Sequence, residues 1–242
     1  MIEKTKRTLF KSISWKLLGF LFLGLIVYTV VGNAQEMSII TIGYHFLMLG
    51  LYFFHEKVWN RIKWGRSSGI FIQMTGMSGA GKTTLSLALE KKLAKKGIKV
   101  EVIDGDEYRK ELCSDLGFSR LDREENIKRL SFVGKILGRN NVVCIMSAIN
   151  PYNSTREQVR QKNINSKLVY VKCEKAELKK RDTKGLYRRA MLPDGDPNKI
   201  YNFTGISDPF EEPQNPDLII ETDKEEIEFS IKKLENFIIK NI

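Results

Sequence analysis

Two long uncharged stretches dominate the first quarter of the chain. Residues 17–31 contain no charged side chain, and residues 37–54 add a second uncharged run after a short polar turn at residues 32–36. If the first run is extended back to residue 12, with Lys16 reaching toward lipid headgroups, it is long enough for a helix to cross a hydrocarbon core. The pattern predicts a two-helix transmembrane hairpin that meets the lipid bilayer through residues 12–54.

The charges around these runs indicate an orientation. Five basic residues precede the first run and four follow the second, whereas the turn between them contains only Glu36. By the positive-inside rule, both termini and everything after the hairpin lie on the cytoplasmic side of the inner (cytoplasmic) membrane. We expect aromatic anchors at the interface, namely Trp15, Tyr52, Trp59 and Trp64. One alternative is a cleaved signal peptide, which would leave the second run unexplained. The other is a helical hairpin of a soluble protein, but a charge-free pair of this length is costly to leave in water.

After residue 66 the pattern changes to short apolar runs that alternate with amphipathic ones. We expect strands near residues 70–75, 99–103, 141–146 and 168–172, and helices near residues 82–96, 123–137 and 154–161. Apolar residues at helical spacing over 227–238 predict a closing helix, with Thr222 and Asp223 as its N-cap. The alternation predicts an α/β fold with a parallel sheet flanked by helices, and therefore two domains, residues 1–66 and 67–242.

Composition and charge narrow the possible classes. Hydrophobic residues make up 42% and charged residues 29% of the chain, which fits a packed core rather than disorder. The formal net charge of +11 divides into +6 for residues 1–66 and +5 interspersed over the remainder. We therefore expect no nucleic-acid partner, because the excess charge forms no single stripe. The three cysteines lie far apart and outside any CxxC pair, which predicts reduced, buried thiols.

The sequence GMSGAGKT at residues 76–83 matches the phosphate-binding pattern G-x-x-x-x-G-K-[ST], and it stands between an apolar strand and a helical run. Backbone N–H groups of such a loop curl around a phosphate, and the helix N-terminus adds a positive end. Lys82 supplies a mobile cation and the Thr83 hydroxyl a ligand for Mg²⁺. The candidate nucleotide-binding residues are Gly76, Ser78, Gly79, Ala80, Gly81, Lys82, Thr83 and Thr84.

Two carboxylates follow the next predicted strand, Asp104 and Asp106. Ligands of open α/β sheets gather at the carboxyl ends of strands, so these acids belong beside the phosphate loop. One can hold the metal's water shell and the other can orient or deprotonate an attacking hydroxyl. The candidate catalytic residues are Lys82, Asp104 and Asp106, with Thr83, Asp104 and Asp106 as metal ligands. A solvated Asp-Gly turn is the alternative.

These segments, taken in order, resemble those of adenylylsulfate kinases, P-loop enzymes that phosphorylate the 3′-hydroxyl of adenosine 5′-phosphosulfate (APS). The matching segments are GMSGAGKTT, DGDEYR, DLGFSRLDREENIKR, the Pro151-Tyr152 turn, KKRDTKGLYRRA and FTGISDPFEEP. The resemblance covers residues 70–222. It implies an ATP-dependent phosphotransferase that uses Mg²⁺. Either sulfate assimilation or sulfation of an exported polymer would consume the product. We expect a homo-oligomer, formed through the hairpin, the kinase or both.

The resemblance also implies an acceptor-binding set. Its members are Arg109, Phe118, Arg123, Asn126, Ile149, Lys184 and Phe203. The arginines and the asparagine would hold the phosphosulfate end of APS, and the two phenylalanines would sandwich its adenine. The lysine would belong to a lid that closes over both nucleotides, and Arg181 in the same region would contact ATP.

Three departures leave the acceptor open. The family usually has Asn where Glu107 stands and Ser where Asn150 stands, and residues 191–197 make the lid several residues longer. An alternative acceptor is another nucleotide-linked small molecule, such as a cytidine diphosphoramidate used in surface polysaccharide modification. The two phenylalanines and the FTG segment favour an adenine-containing acceptor.

The first 66 residues separately resemble a small family of two-span bacterial membrane domains, in the segments KSISWK and HEKVWN. That resemblance implies membrane residence and no established activity. Together the two halves predict a membrane-tethered adenylylsulfate kinase. A rival hypothesis is a nucleotide-responsive regulator of a membrane assembly, but a sensor needs only the phosphate loop and not the carboxylates or the acceptor-binding set.

Overall fold

The computed structural model describes residues 5–59, 69–163 and 165–242. The chain forms two compact units, Met1–Arg66 and Ser67–Ile242. Of the predicted aromatic anchors, Trp64 and the side chains of Trp15 and Trp59 lie outside the described residues.

The N-terminal unit is a pair of antiparallel helices, α1 (Thr5–Val31) and α2 (Ala34–Trp59). They pack through contacts such as Phe20 with His45, whose ring centroids are 5.0 Å apart. The connection is shorter than the predicted polar turn because Asn33 caps α2: its Oδ1 accepts a hydrogen bond from the backbone N–H of Gln35 at 2.9 Å. Residues 34–36 therefore belong to the first turn of α2.

The surface of this helix pair is apolar. Many large hydrophobic side chains are more than half exposed, including Leu21, Val30, Phe46 and Phe53. Within the described residues, one stretch, Ala34–Phe54, is long and apolar enough to cross a membrane, and the apolar part of α1, Lys16–Val31, is shorter. The second predicted span thus meets the length requirement, and the two-span topology stays a prediction.

The C-terminal unit contains one parallel sheet with the strand order β2-β3-β1-β4-β5. Its strands are β1 (Phe71–Thr75), β2 (Val100–Asp104), β3 (Val143–Ser147), β4 (Ser166–Lys172) and β5 (Leu218–Glu221). Its helices are α3 (Lys82–Lys95), α4 (Gly105–Glu111), α5 (Arg120–Arg139), α6 (Asn153–Lys162), α7 (Lys175–Arg181), α8 (Leu186–Ala190) and α9 (Ile227–Asn241). The predicted α/β class, with a parallel sheet flanked by helices, is confirmed.

Both faces of the central strand β1 are buried. Ile72 and Met74 pack in the cluster that includes α3 and α9, whereas Phe71 packs on the other face against α5. A methyl group at Gly134 of α5 would lie 2.0 Å from the Phe71 ring, so the helix can approach the sheet this closely only with glycine there. The three cysteines are free and buried. Because both faces are covered, the phosphate loop at the carboxyl end of β1 lies on the open edge of the sheet.

Two helix starts differ from the predictions, each for a local reason. Helix α5 begins earlier, at Arg120, because Ser119 and Asp122 form a capping box. Helix α9 begins at Ile227 with Glu226 as its N-cap. Thr222 is not the cap of α9, since its hydroxyl donates to the carbonyl of Ala80 at 3.0 Å.

Candidate active site

The loop at residues 76–81 depends on glycine at three positions. A side chain at Gly76 would place its Cβ 2.3 Å from the carbonyl oxygen of Val171. Gly79 and Gly81 have φ of +76° and +94°, in the left-handed region that favours glycine. Gly81 is also the N-cap of α3 and offers no side chain to cap it, so backbone N–H groups of the first turn stay available to a ligand.

Lys82 lies inside this loop and is only 8% exposed. Its Nζ donates to the carbonyl oxygens of Gly76 at 2.8 Å and Met77 at 2.9 Å. Burial lowers the pKa of Lys82 to about 8, while the nearby carboxylate of Asp106 acts in the opposite direction. The loop therefore holds a cation whose charge is sensitive to its surroundings.

A hydroxyl and a carboxylate meet beside the loop. Thr83 Oγ1 donates to Asp104 Oδ2 at 2.7 Å. Asp104 Oδ1 accepts from the backbone N–H groups of Asp106 at 2.9 Å and Glu107 at 3.3 Å, so Asp104 also caps α4. Within the described residues no group of three or more His, Cys, Asp or Glu side chains could hold a metal by itself. The Thr83 and Asp104 oxygens fit Mg²⁺, which typically binds through one or two carboxylates together with substrate phosphates.

Asp106 and the predicted lid are joined by an ion pair. Lys184 Nζ lies 2.5 Å from Asp106 Oδ2, and both side chains are more than half exposed. The lid also contacts the phosphate loop, because the Tyr187 hydroxyl donates to the carbonyl of Ser78 at 3.0 Å. The lid therefore reaches both the loop and the carboxylate.

Residues of the longer lid contact one another and helix α8. Arg189 Nε donates to the carbonyl of Asn198 at 3.1 Å, and Lys199 pairs with Asp194 at 2.5 Å. The backbone N–H of Asn198 donates to the carboxylate of Asp196 at 2.8 Å. These contacts join residues 194–199 to one another and to α8.

Two arginines bracket Phe118 on the acceptor side. The Arg109 guanidinium lies 4.5 Å from the centroid of the Phe118 ring and that of Arg123 lies 5.7 Å away. Arg123 Nε donates to the Phe118 carbonyl at 3.1 Å, and its Nη2 donates to the carbonyl of Asn202 at 2.5 Å. Arg123 thereby joins the segment of Phe118 to that of Phe203, although the two segments are distant in sequence.

The two phenylalanines differ in exposure. Phe118 is 59% exposed, whereas Phe203 is 7% exposed. Phe203 packs edge-on against Tyr187 of the lid, with ring centroids 5.0 Å apart. The structure thus leaves most of the Phe118 side chain exposed beside the Arg109 guanidinium and holds Phe203 against the lid.

The remaining predicted residues lie near the same edge. Asn126 is buried, and its Oδ1 has no hydrogen-bond partner within the described residues. Ile149 contributes its backbone, whose carbonyl accepts from the N–H of Gly76 at 3.4 Å. Arg181 Nη2 donates to the carbonyl of Thr222, the residue whose hydroxyl binds Ala80 of the loop.

Arg156 was not predicted from the sequence, yet it connects two parts of the site. It is 2% exposed, and its guanidinium donates to the carbonyls of Asn150 at 2.6 Å and Glu211 at 2.5 Å. Burial lowers the pKa of Arg156 to about 10, which keeps it cationic at neutral pH. It fixes the turn after β3 to the segment that follows Phe203. No local signal distinguishes it from Arg160, the other arginine of α6.

A glycine-rich loop after the central strand, a buried lysine and a threonine–carboxylate pair define a P-loop nucleotide-binding kinase. The family model described as adenylylsulphate kinase matches residues 68–221, and the model described as predicted membrane protein (DUF2061) matches residues 9–60. The chain belongs to the adenylylsulphate kinase family. Both predicted resemblances are confirmed, as is the class of enzyme, an ATP-dependent kinase that uses Mg²⁺.

Similar proteins span this same part of the chain. The probable adenylyl-sulfate kinase of Pseudomonas aeruginosa is 45% identical over 166 residues, which cover 69% of this chain and 75% of that protein. The adenylyl-sulfate kinase of Picosynechococcus sp. is 46% identical over 166 residues, 69% of this chain and 91% of that protein. The structure of the Mycobacterium tuberculosis APS kinase CysC in complex with AMPPNP and APS has a TM-score of 0.66 at 33% identity, covering 72% of this chain and 98% of that chain.

Proposed function

We propose that the protein is a membrane-tethered adenylylsulfate kinase, which transfers the γ-phosphate of ATP to the 3′-hydroxyl of APS and yields 3′-phosphoadenylyl sulfate. The main support is that Arg123 joins the Phe118 and Phe203 segments on the edge of the sheet that also bears the phosphate loop. Aromatic rings beside guanidinium groups suit a ligand that combines a purine with anionic groups. Relatives named adenylyl-sulfate kinase match this part of the chain.

In the proposed reaction, Lys82 and the loop N–H groups hold the β- and γ-phosphates, and Thr83 and Asp104 would hold Mg²⁺. When bound, the metal neutralises phosphate charge. Asp106 orients the acceptor hydroxyl for in-line attack on the γ-phosphorus, and Lys184, which contacts Asp106 at 2.5 Å, brings a second cation to the transferred group. Arg181 supports the loop from its contact with Thr222.

On the acceptor side, Arg109, Arg123 and Asn126 would bind the phosphosulfate end of APS. The buried Asn126 retains hydrogen-bonding capacity, since its Oδ1 has no partner among the described residues. The two phenylalanines would sandwich the adenine, with Ile149 at the base of the same pocket. Lid movement is required for Phe203 to stack fully, because its ring packs on Tyr187 and is mostly buried.

The decisive experiment compares acceptors. Purified full-length protein in detergent is supplied with MgATP and either APS or a cytidine-linked acceptor, and ADP release is measured. We expect turnover with APS and little with the cytidine compound. The reverse preference would assign the alternative acceptor suggested by Glu107 and the longer lid. ATP binding without phosphorylation of either acceptor would favour the regulator hypothesis.

The membrane part of the proposal is that α1 and α2 both span the inner membrane, with both termini and the kinase unit on the cytoplasmic side. It is supported by the apolar stretch Ala34–Phe54 and by the match of residues 9–60 to a membrane-protein family. We expect the protein to stay in the membrane on carbonate extraction and to be cleaved by protease only from the cytoplasmic face. Release by carbonate would contradict the tether. The homo-oligomer stays a prediction.

A further inference from the structure

One surface of the kinase unit combines lysines with exposed apolar side chains, away from the active site. Phe132 and Ile136, one helical turn apart on α5, are 64% and 46% exposed. They adjoin a groove between α5 and α6 that is lined by Phe132, Lys128, Lys135 and Lys162, among others. We call Phe132, Ile136 and the three lysines the basic apolar face.

The acids near this face do not neutralise it. Glu125 lies at the edge, 4.0 Å from Lys128, and it also pairs with Arg129 at 3.3 Å. On α6, Glu157 accepts from the side chain of Gln161 and does not contact Lys162. Neither Lys135 nor Lys162 forms an ion pair within residues 5–59, 69–163 and 165–242. The face therefore presents positive charge around an apolar centre.

The chain enters the kinase unit next to this face. Gly69, the first described residue after residues 60–68, lies so close to α5 that a side chain on it would come within 2.0 Å of the carbonyl oxygen of Gly138. Gly138 follows Ile136 in the last turn of α5. Even fully extended, the connection from Trp59 to Gly69 spans at most about 35 Å. The polypeptide that follows the hairpin thus enters the kinase unit at the end of α5 that bears the face.

The active site lies at the other end of the same helix. Arg123, in the first turn of α5, reaches the acceptor side, whereas Phe132 and Ile136 lie in its second half. Because the phosphate loop follows the carboxyl end of β1 and Gly69 precedes its amino end, the two sites face opposite edges of the sheet. A partner bound at the basic apolar face would leave the nucleotide site open to solvent.

We propose that the basic apolar face docks on the anionic surface of the membrane in which the hairpin is anchored. Lysines attract anionic headgroups, and an aromatic side chain inserts at the interfacial level. A short tether makes a weak contact effective, because docking becomes intramolecular. The proposal rests on the membrane tether and adds that lipid headgroups bind the face at the end of the sheet opposite the phosphate loop.

The test measures lysine reactivity in the full-length protein. The protein is placed in nanodiscs of phosphatidylcholine alone or with phosphatidylglycerol, treated with an amine-acylating reagent and analysed by mass spectrometry. We expect acylation of Lys135 and Lys162 to fall at least threefold when the anionic lipid is present. Acylation of Lys91 and Lys95, exposed on α3 across the sheet, should not change. Equal acylation of all four lysines in both lipids would overturn the proposal.

A matched pair of variants separates docking from general charge effects. K135E/K162E should abolish the lipid-dependent protection of Lys128, whereas K91E/K95E should preserve it, and both should retain turnover with APS in detergent. If the lysines of the face become less acylated in detergent as the protein concentration rises, a second copy of the chain covers the face. That result would overturn the proposal. Failure of the tether would appear as carbonate release, and failure of the proposed kinase activity as absent turnover in detergent, so each failure has its own readout.

Discussion

The phosphate side and the acceptor side of the site are built in different ways. On the phosphate side, the main contacts come from the backbone of residues 76–83 and from the side chains of Lys82, Thr83 and Asp104. On the acceptor side, Arg123 connects Phe118 to the segment of Phe203. That segment continues to Glu211, whose carbonyl accepts a hydrogen bond from Arg156. Most groups of the phosphate side come from one contiguous loop, whereas the acceptor side is assembled from segments that are far apart in the sequence.

This difference indicates what each side controls. A buried lysine held by the carbonyls of its own loop acts on charge that develops during phosphoryl transfer, so its loss should lower kcat. The rings and guanidinium groups of the acceptor side contact the acceptor and not the transferred phosphate, so their loss should act first on the KM for the acceptor. Substitutions on the two sides can therefore be distinguished by kinetics.

The largest effect is expected for Lys82→Ala. Removing the cation should lower kcat by roughly 10³-fold, because a single preorganised electrostatic contact contributes about this much. Steady-state ADP release with APS measures the loss. Lys95→Ala, on the exposed face of the same helix, is the matched control and should keep normal turnover. Wild-type kcat in a folded Lys82→Ala protein would rule out the assigned phosphate site.

The next largest effects on activity are expected for the two carboxylates, and they distinguish the role of Asp104 from that of Asp106. Asp106→Asn should lower kcat roughly 10²-fold with little change in thermal stability, because Asp106 is exposed and would orient the acceptor hydroxyl. Asp104→Asn should raise the Mg²⁺ concentration required for activity and cost about 1 kcal/mol of stability, since the amide nitrogen cannot accept the hydrogen bond from Thr83, while the amide oxygen can still cap α4. Kinetics over a Mg²⁺ series and thermal melts measure both. If the two variants exchanged these phenotypes, the roles of Asp104 and Asp106 would have to be reversed.

A smaller effect on activity is expected when either of the two phenylalanines is replaced. Phe118→Ala should raise the KM for APS roughly tenfold and leave stability unchanged, because the ring is 59% exposed and stacking on a base contributes about 1–3 kcal/mol. Phe203→Ala should raise the same KM and also destabilise the fold by about 3 kcal/mol, because that ring is 7% exposed and packs on Tyr187. An unchanged KM for APS in both variants would argue against an adenine sandwich.

The same contrast explains how much could be predicted from the sequence. The phosphate loop was found because its residues are contiguous and lie between a strand and a helix. The position of Asp104 beside the loop was predicted because both follow the carboxyl ends of parallel strands. The Arg156 bridge and the Tyr187 contact could not be predicted, since both depend on partners more than fifty residues away. Helix α4 is not among the predicted elements, because the residues after β2 were assigned roles as carboxylates and not as a helix start; Asp104 is in fact the N-cap of that helix.

The smallest predicted effect is the pH dependence of ATP binding. Burial lowers the pKa of Lys82 to about 8, so the lysine loses its charge in the free protein as the pH rises from 7 to 9. ATP binds the charged form, and its affinity should therefore fall by at most about tenfold over this range. Titration calorimetry at fixed Mg²⁺ measures this change.

Stability should move in the opposite direction over the same range. Above pH 8 the unfolded chain, in which Lys82 has its ordinary pKa of 10.5, binds more protons than the folded protein. The contribution of Lys82 to the free energy of unfolding therefore rises with pH between about 8 and 10.5, while ATP affinity declines. Lys82→Arg, whose guanidinium stays charged, should remove both trends and serves as the control. The contradicting outcome is that ATP affinity and unfolding free energy both fall with pH, and fall equally in the wild-type protein and in Lys82→Arg. That result would show that another group titrates and that Lys82 stays charged within the loop.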